Sequence, residues 1–354
     1  MVVTQRPRAC PKIRVVAAIA AAAALAADSM PGALRPAFAA APDLYQRPGR
    51  MLRLSDGRQM DVRCQGRGRI TVLFEGGYMA TSAAWAKVQP AVGKFARACA
   101  YDRAGLGFSD PGPPPRDGVA IARDLDQALR RAGLQGPFVL VAHSAGALYA
   151  RLFYEIRPND VVGMVLVDPS VEFQDARFAS RFGPGAGGAG PLRDKAQRCL
   201  AAANMGRLPS ADPVLVGCTP RPARSGPPRA EMFQAARAST WRTSLSELDN
   251  LWTRTSEEVN AARPSYGRMP LVVLTADGTY AAAPPALRLQ VDQLWRQLHQ
   301  ELAARSTAGE EQLVTGSSHR VMFDRPDAIV AAVNRVVERS EARLTASAEK
   351  ASGR

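Results

Sequence analysis

Ser144 lies in a segment whose residue types suit a nucleophile. Residues 142–146, with the sequence AHSAG, follow the apolar run 137–141 and precede a stretch with helical spacing. A serine between small residues on a tight strand-to-helix turn is the pattern of a nucleophile elbow, G-x-S-x-G. Ala142 replaces the first glycine of that pattern, and Gly146 is the second. The segment therefore predicts that Ser144 attacks a carbonyl carbon.

A serine hydroxyl needs a general base, and the chain has 3 histidines. His143 adjoins Ser144 on the turn, so its side chain is expected to point away from the serine hydroxyl. His299 lies in a helical pattern, where a polar surface position is expected. His319 follows a short strand-like run and a Gly/Ser loop, and it precedes a helix predicted to begin at Pro326. We interpret His319 as the base.

Two aspartates are candidates for the carboxylate that orients the imidazole. Asp168 ends the apolar strand 165–167, and Asp277 follows the strand 271–275. Either carboxylate can instead cap the turn at the end of its strand. Position after a strand therefore does not choose between the two.

Composition restricts the partners of the chain. The net charge of +14 comes from 46 basic and 32 acidic residues, which alternate along the chain without a basic run. This distribution predicts no nucleic-acid partner. No His/Cys cluster has the spacing of a zinc site, and we expect neither a metal nor an organic cofactor.

The amino terminus has the pattern of a secretory signal, assigned to residues 1–39. An apolar stretch, 15–27, is too short to be a stable membrane span. Small residues at 37 and 39 form a cleavage site, and residues 24–26 are a second candidate. The alternative is an uncleaved helix that associates with a membrane. Cleavage predicts a periplasmic or secreted protein without an integral membrane span. The positively charged region that precedes the apolar stretch in a secretory signal contains Arg6, Arg8, Lys12 and Arg14.

Strand and helix patterns alternate along most of the chain, which predicts a mostly parallel sheet covered by helices on both faces. The alternation stops between residues 170 and 269, where Gly-rich and Pro/Arg-rich loops surround helical segments containing Met232, Phe233, Trp241 and Trp252. We divide the chain into a core, 44–169 and 270–340, an inserted cap or lid, 170–269, and a flexible tail, 341–354.

From about residue 52 to 337 the chain resembles the α/β-hydrolase superfamily, in its branch of capped, esterase-like serine enzymes. Besides the elbow, the run 101–110, YDRAGLGFSD, is similar to the loop that follows the family's fourth strand. In that loop Asp102 and Arg103 are interpreted as structural. The resemblance implies an α/β-hydrolase fold with a helical cap after the sixth strand. A serine nucleophile disfavours the dehalogenase and epoxide-hydrolase relatives, which the family builds around aspartate.

The family order of nucleophile, acid and histidine supports His319 as the base. The commoner acid position follows the seventh strand, but Asp277 comes about two residues early and Thr279 stands where the acid is expected. We therefore favour Asp168, with Asp277 as the alternative. The resemblance also assigns oxyanion-hole donors. These are the backbone N–H groups of Tyr78 and Ala145, with Gly77 as the alternative to Tyr78.

Cysteine usage fits an exported protein. Cys10 would leave with the signal, and the four cysteines that remain allow three connectivities. The resemblance places Cys64 and Cys99 on neighbouring strands, the second and the fourth, and it places Cys199 and Cys218 in the lid. We pair Cys199 with Cys218 and Cys64 with Cys99, although buried free thiols remain an alternative for the latter pair.

Together these features predict an exported serine hydrolase, a carboxylesterase that cleaves a small-molecule ester through an acyl-enzyme. An amidase, an iminopeptidase or an acyltransferase would use the same groups. A ligand-binding or sensory protein of this fold with little turnover is the alternative from another class. The sequence does not indicate the substrate or the oligomeric state.

Overall fold

The computed structural model describes residues 42–219 and 234–352. Eight strands form one sheet in the order β1-β2-β4-β3-β5-β6-β7-β8. Strand β2 is antiparallel to β1 and β4, and all other neighbours are parallel. The strands are β1 (Arg50–Arg53), β2 (Gln59–Gln65), β3 (Thr71–Glu75), β4 (Arg97–Tyr101), β5 (Phe138–His143), β6 (Val161–Val167), β7 (Leu271–Ala276) and β8 (Gly309–Val314).

Helices cover both faces of the sheet. Every residue of β3, β5 and β7 is buried, as expected for central parallel strands. The helices of the core are α1 (Gln89–Val92), α2 (Gly118–Ala132), α3 (Gly146–Ile156), α8 (Pro285–Ala303), α9 (Val321–Asp324) and α10 (Pro326–Ser352), and those between β6 and β7 are α4 (Gln174–Phe182), α5 (Ala189–Asn204), α6 (Ala238–Leu251) and α7 (Arg254–Ala261).

Alternate residues of the strands enter two separate apolar cores. Leu140 of β5 and Leu166 of β6 pack with α2, α3 and α8 on one face. Val139 and Val165, one position earlier on the same strands, pack with α1 and α10 on the other. The two-residue side-chain period of a strand produces this division. The sheet is therefore held from both sides, and the carboxyl ends of its central strands are fixed in position.

The helices between β6 and β7 have a small core of their own. Trp241 of α6 is buried there against Ala196 and Cys199 of α5. A disulfide joins Cys199 to Cys218, one of the two pairs favoured from the sequence. Trp252 packs instead against the main core, while Met232 and Phe233 lie outside the described residues. We refer to residues 170–269 as the helical insertion.

The second disulfide joins two strands of the sheet. Cys64 and Cys99 are directly opposite each other in the antiparallel pair β2 and β4, and they are bonded. This is the other pair favoured from the sequence. Cys64 and Cys99 therefore lie on neighbouring strands, the second and the fourth, as the family resemblance implied.

One local difference separates the fold from the sequence interpretation. The sequence pattern predicts a single helix from about residue 82 to 96, but the chain forms a 3₁₀ turn, Ser82–Trp85, and the short α1. Pro90 lies in the first turn of α1, and a proline inside a longer helix would remove an internal hydrogen bond. At the carboxyl end of the described residues, α10 continues through Ser352 and so includes most of the region assigned as a tail.

Other predictions fall on parts of the chain that are not described. The signal assigned to residues 1–39, with its cleavage site, lies outside the described residues. Among the helices of residues 42–219 and 234–352, none combines the length and hydropathy that crossing a membrane requires.

Candidate active site

Ser144 occupies the turn between β5 and α3 in a conformation that few residues adopt. Its φ is +52°, in the left-handed region that L-amino acids other than glycine disfavour. The turn also brings α3 against the segment that follows β3. A Cβ atom on Gly146 would lie 2.5 Å from the carbonyl oxygen of Gly76, so only glycine fits there. The turn places Ser144 at the carboxyl edge of the sheet, as a nucleophile elbow requires.

His319 joins the serine to a carboxylate. It lies on the loop between β8 and α9, and its Nε2 is 2.9 Å from Ser144 Oγ. Its Nδ1 is 2.6 Å from Asp168 Oδ2. With Nδ1–H donating to the carboxylate, Nε2 is free to accept the serine proton. Three residues distant in sequence thus form a continuous Ser–His–Asp hydrogen-bond chain.

Asp168 is a fully buried carboxylate with several donors around it. It follows β6 and accepts hydrogen bonds from the Ala276 N–H, the Thr279 hydroxyl and the Trp295 indole N–H, in addition to His319. Burial alone would raise the pKa of the Asp168 carboxyl, but the hydrogen bond and charge of His319 lower it to about 2. Asp168 is therefore negatively charged at neutral pH and holds the imidazole in one tautomer.

Asp277 has a different position. Its carboxylate accepts the backbone N–H groups of Gly316 and Ser317 at 3.0 and 3.2 Å, and among the described residues it forms no hydrogen bond with His319. These contacts support the loop that carries His319. Thr279, which stands where the acid was expected by count, donates to Asp168 instead. The structure thus brings Asp168, and not Asp277, to the imidazole.

His299 is buried, contrary to the surface position expected from the sequence. It lies on α8, its ring packs 4.3 Å from that of Trp295, and its nitrogens bond the Thr275 hydroxyl and the carbonyl of Pro169. Burial lowers the pKa of His299, which keeps the ring neutral. Trp295, Leu298 and Leu302 form the same buried helix face, so the helical period contained this signal.

Within the described residues His143 contacts His319 and forms no hydrogen bond to Ser144 Oγ. Its Nε2–H donates to the His319 carbonyl at 2.8 Å, and the two rings are 4.6 Å apart. Burial and the neighbouring His319 lower the pKa of His143 to about 3. This neutral side chain holds the backbone of the base, a role that the sequence interpretation did not anticipate.

The segment 76–78 lies against the nucleophile. A Cβ atom on Gly77 would be 2.7 Å from His143 Nδ1 and 3.1 Å from Ser144 Cβ. The buried Arg103 guanidinium donates to the carbonyls of Gly76 and Gly77 at 2.6 and 2.7 Å. In a trans peptide the N–H is opposite the carbonyl, so the N–H groups of Gly77 and Tyr78 point away from Arg103.

Arg103 is itself held by two buried carboxylates. Its guanidinium pairs with Glu75 on β3 and Glu247 on α6. Asp102, next to it, accepts the N–H groups of Ser82 and Phe108. Asp102 and Arg103 are thus structural residues, and Arg103 has a defined role, because it fixes the orientation of two peptide groups beside Ser144.

A cavity of about 760 Å³ opens over Ser144 and His319. The core contributes apolar groups such as Tyr280 and Phe323, and the helical insertion contributes Trp241 and Leu248. This volume suits a small organic molecule. Within residues 42–219 and 234–352, no three His, Cys, Asp or Glu side chains are grouped to hold a metal ion.

Similar proteins are found by sequence and by structure. YqjL, an uncharacterized protein of Bacillus subtilis, is 31% identical over 107 residues, which are 30% of this chain and 42% of that protein. An AB hydrolase superfamily protein of Gibberella zeae is 35% identical over 104 residues, 28% of this chain and 32% of that protein. The match thus spans less than half the length of these curated relatives.

Solved structures resemble the chain over a longer stretch. The crystal structure of DbjA aligns with a TM-score of 0.60 at 20% identity, covering 83% of this chain and 99% of that one. A thermophilic esterase from Thermogutta terrifontis aligns with a TM-score of 0.54 at 17% identity, covering 82% and 98%. Epoxide hydrolase CorEH gives 0.56 at 14%, also covering 82% and 98%. At these identities the similarity concerns the fold alone.

A family model described as "Alpha/beta hydrolase family" matches residues 72–332, which include most of β3, the turn at Ser144 and the loop of His319. This range is most of the chain. The protein therefore belongs to the alpha/beta hydrolase family.

Proposed function

We propose that this protein is an exported serine hydrolase, a carboxylesterase that cleaves its ester through an acyl-enzyme on Ser144. The observation that carries the proposal is the hydrogen-bond chain from Ser144 Oγ through His319 to the buried Asp168. A serine hydroxyl is a weak nucleophile until a base removes its proton during attack. The chain supplies that base and the carboxylate that orients it.

The reaction proceeds in two halves. Ser144 Oγ attacks the ester carbonyl while His319 Nε2 takes its proton, and His319 then returns a proton to the departing alkoxide. Water next attacks the acyl-enzyme with His319 again as base, and the acid leaves as Ser144 regains its proton. Asp168 keeps its charge throughout and stabilises the imidazolium. No cofactor enters this scheme.

The oxyanion in each half needs donors aimed at it. We assign the backbone N–H groups of Tyr78 and Ala145, with Gly77 as the alternative to Tyr78. Ala145 follows the nucleophile directly, and the peptide orientation imposed by Arg103 supports either donor from the segment 76–78. Removing one donor of this kind typically slows turnover by about 10²–10³-fold.

The helical insertion, 170–269, is assigned as a cap over the core, 44–169 and 270–340. Its Trp241 and Leu248 line the cavity together with core residues, which supports a role in enclosing the substrate. Export rests on the amino-terminal sequence pattern and is compatible with the two disulfides. N-terminal sequencing of the exported protein should begin near Ala40, and a form that begins at Met1 would contradict cleavage.

The function is tested with p-nitrophenyl esters of increasing acyl length, assayed with wild type and Ser144→Ala in the presence of EDTA. We expect turnover by wild type, with a burst of p-nitrophenol where deacylation is slow, and none above background by the variant. Equal rates for both proteins on every ester would reject the proposal. Turnover of anilides but not esters would favour the amidase alternative, and transfer to an added alcohol without hydrolysis would favour the acyltransferase.

A further inference from the structure

The described residues that line the cavity over Ser144 include basic side chains but no carboxylate. Lys195 and Arg320 both line this cavity. The catalytic Asp168 is not part of the lining and is already bonded to His319. A substrate in the cavity therefore meets two cations and no described carboxylate.

Lys195 belongs to α5 in the helical insertion. Its side chain is partly buried and forms no hydrogen bond or ion pair with any other described residue. Its Nζ lies near Gly217, where an added Cβ would be 3.4 Å away. Burial and the charge of Arg198 lower the pKa of Lys195. Taking an ammonium group out of water without a counter-ion is unfavourable, so this position favours an anion that arrives from outside.

The position of Lys195 is fixed by covalent and apolar contacts. Cys199 lies one helical turn further along α5 and is bonded to Cys218, which also lines the cavity. Ala196, next to the lysine, is buried in the core of the insertion. The ammonium is therefore presented from a braced helix beside the segment that contains Gly217, and a ligand that it binds needs to order little more than the side chain.

Arg320 supplies the second charge from the core side. It follows His319 directly, its guanidinium lies 4.3 Å from the centre of the Phe323 ring, and it has no carboxylate partner among the described residues. By contrast, the buried Arg103 and Arg151 are paired with Glu75 and Glu172, whereas Arg320 is exposed. The unpaired cations of the described region thus include two at the cavity wall.

We propose that the substrate is an ester that also carries a carboxylate, and that Lys195 binds this group while Arg320 adds to the attraction. The inference rests on the proposed function and names the substrate class of that site. It requires no new chemistry, because the carboxylate is bound and not transformed.

The test uses pairs of substrates that differ in one charge. The first pair is p-nitrophenyl hydrogen adipate and its methyl ester, with the carboxylate on the acyl side. The second is the butyrate ester of 4-hydroxybenzoate and that of its methyl ester, with the carboxylate on the alcohol side. We expect wild type to favour the anionic member of one pair by about tenfold or more in kcat/KM, equivalent to about 1.4 kcal/mol. Added NaCl should reduce the preference.

Variants assign the preference to Lys195. Lys195→Met should lower kcat/KM for the anionic ester about tenfold more than for its neutral partner, and Lys195→Arg should retain the preference. Lys94→Met, which removes an exposed lysine outside the cavity lining, should behave as wild type. The inference alone would be overturned if wild type did not favour the anionic ester in either pair. It would also be overturned if Lys195→Met lowered kcat/KM equally for the anionic and the neutral ester. Absence of Ser144-dependent hydrolysis of all four esters would overturn the proposed function, and the inference with it.

Discussion

Asp168 and Asp277 both follow strands of the same sheet, yet only one carboxylate reaches the base. Asp168 bonds His319 Nδ1, whereas Asp277 bonds the N–H groups of Gly316 and Ser317. We expect Asp168→Asn to lower kcat by about 10⁴-fold, because an amide stabilises the wrong imidazole tautomer. Asp277→Asn should keep at least about a tenth of kcat, a loss below ~1.4 kcal/mol in barrier, and should mainly lower Tm. An inactive Asp277→Asn beside an active Asp168→Asn would contradict the assignment.

A second prediction at the scale of residues concerns His143 and the pH dependence of the free energy of unfolding. The pKa of His143 is lowered from 6.5 to about 3, so below pH 6.5 the unfolded chain binds a proton that the native protein does not. The stabilisation is complete above the unfolded pKa and is lost as pH falls toward 3. His143→Gln keeps a donor for the His319 carbonyl but cannot titrate.

The measurement for His143 is urea unfolding at several pH values between about 4 and 7.5. Near pH 5 the free energy of unfolding should rise more steeply with pH for wild type than for His143→Gln, by up to about 1.4 kcal/mol per pH unit. Parallel curves for the two proteins would show that His143 is protonated in the native state as readily as in the unfolded chain.

The sequence could predict which residues reach the site but not all of their bonds. Ser144 and His319 have signals in small neighbours and in their places after strands. The choice of acid depends on which loop N–H groups occupy each carboxylate, and those contacts come from loop packing. His143 was missed because its partner, the His319 carbonyl, is far away in sequence.

At the scale of elements, the segment 76–78 depends on Arg103. A lysine at position 103 would keep the positive charge, but it lacks the planar guanidinium that bonds two carbonyls and two carboxylates at once. We expect Arg103→Lys to lower kcat by about 10²-fold with a smaller change in KM, through misoriented oxyanion donors. Arg116→Lys is the matched control, since Arg116 is equally buried and pairs with Asp124 outside the cavity lining. Equal effects of both variants on kcat would remove the special role of Arg103.

The strands were easier to predict than the ends of helices. Continuous apolar runs mark β5, β6 and β7 because both faces of these strands are buried. Residues 341–352 have no such signal, and their helix continues from a part of α10 whose Ile329, Val333 and Val336 are anchored in the core. Once a helix is nucleated by packing, extension into polar sequence costs little.

At the scale of the whole molecule, the site is assembled from the ends of strands that share one edge. Ser144 follows β5, Asp168 follows β6 and His319 follows β8, so the sheet brings together residues separated by up to 175 positions. The fold is shared with proteins described as an esterase and an epoxide hydrolase. The chemistry therefore has to be established at the side chains of this edge.

The central claim is that Ser144 is an activated nucleophile, and a fluorophosphonate probe tests it directly. Intact mass and peptide mapping after labelling should show one adduct on the wild-type protein, located at Ser144. Ser144→Ala should show none, and Ser170→Ala, which removes another buried serine of the same cavity, should label as wild type does. If wild type and Ser144→Ala show the same lack of labelling, or if the adduct lies on another residue, the account is contradicted.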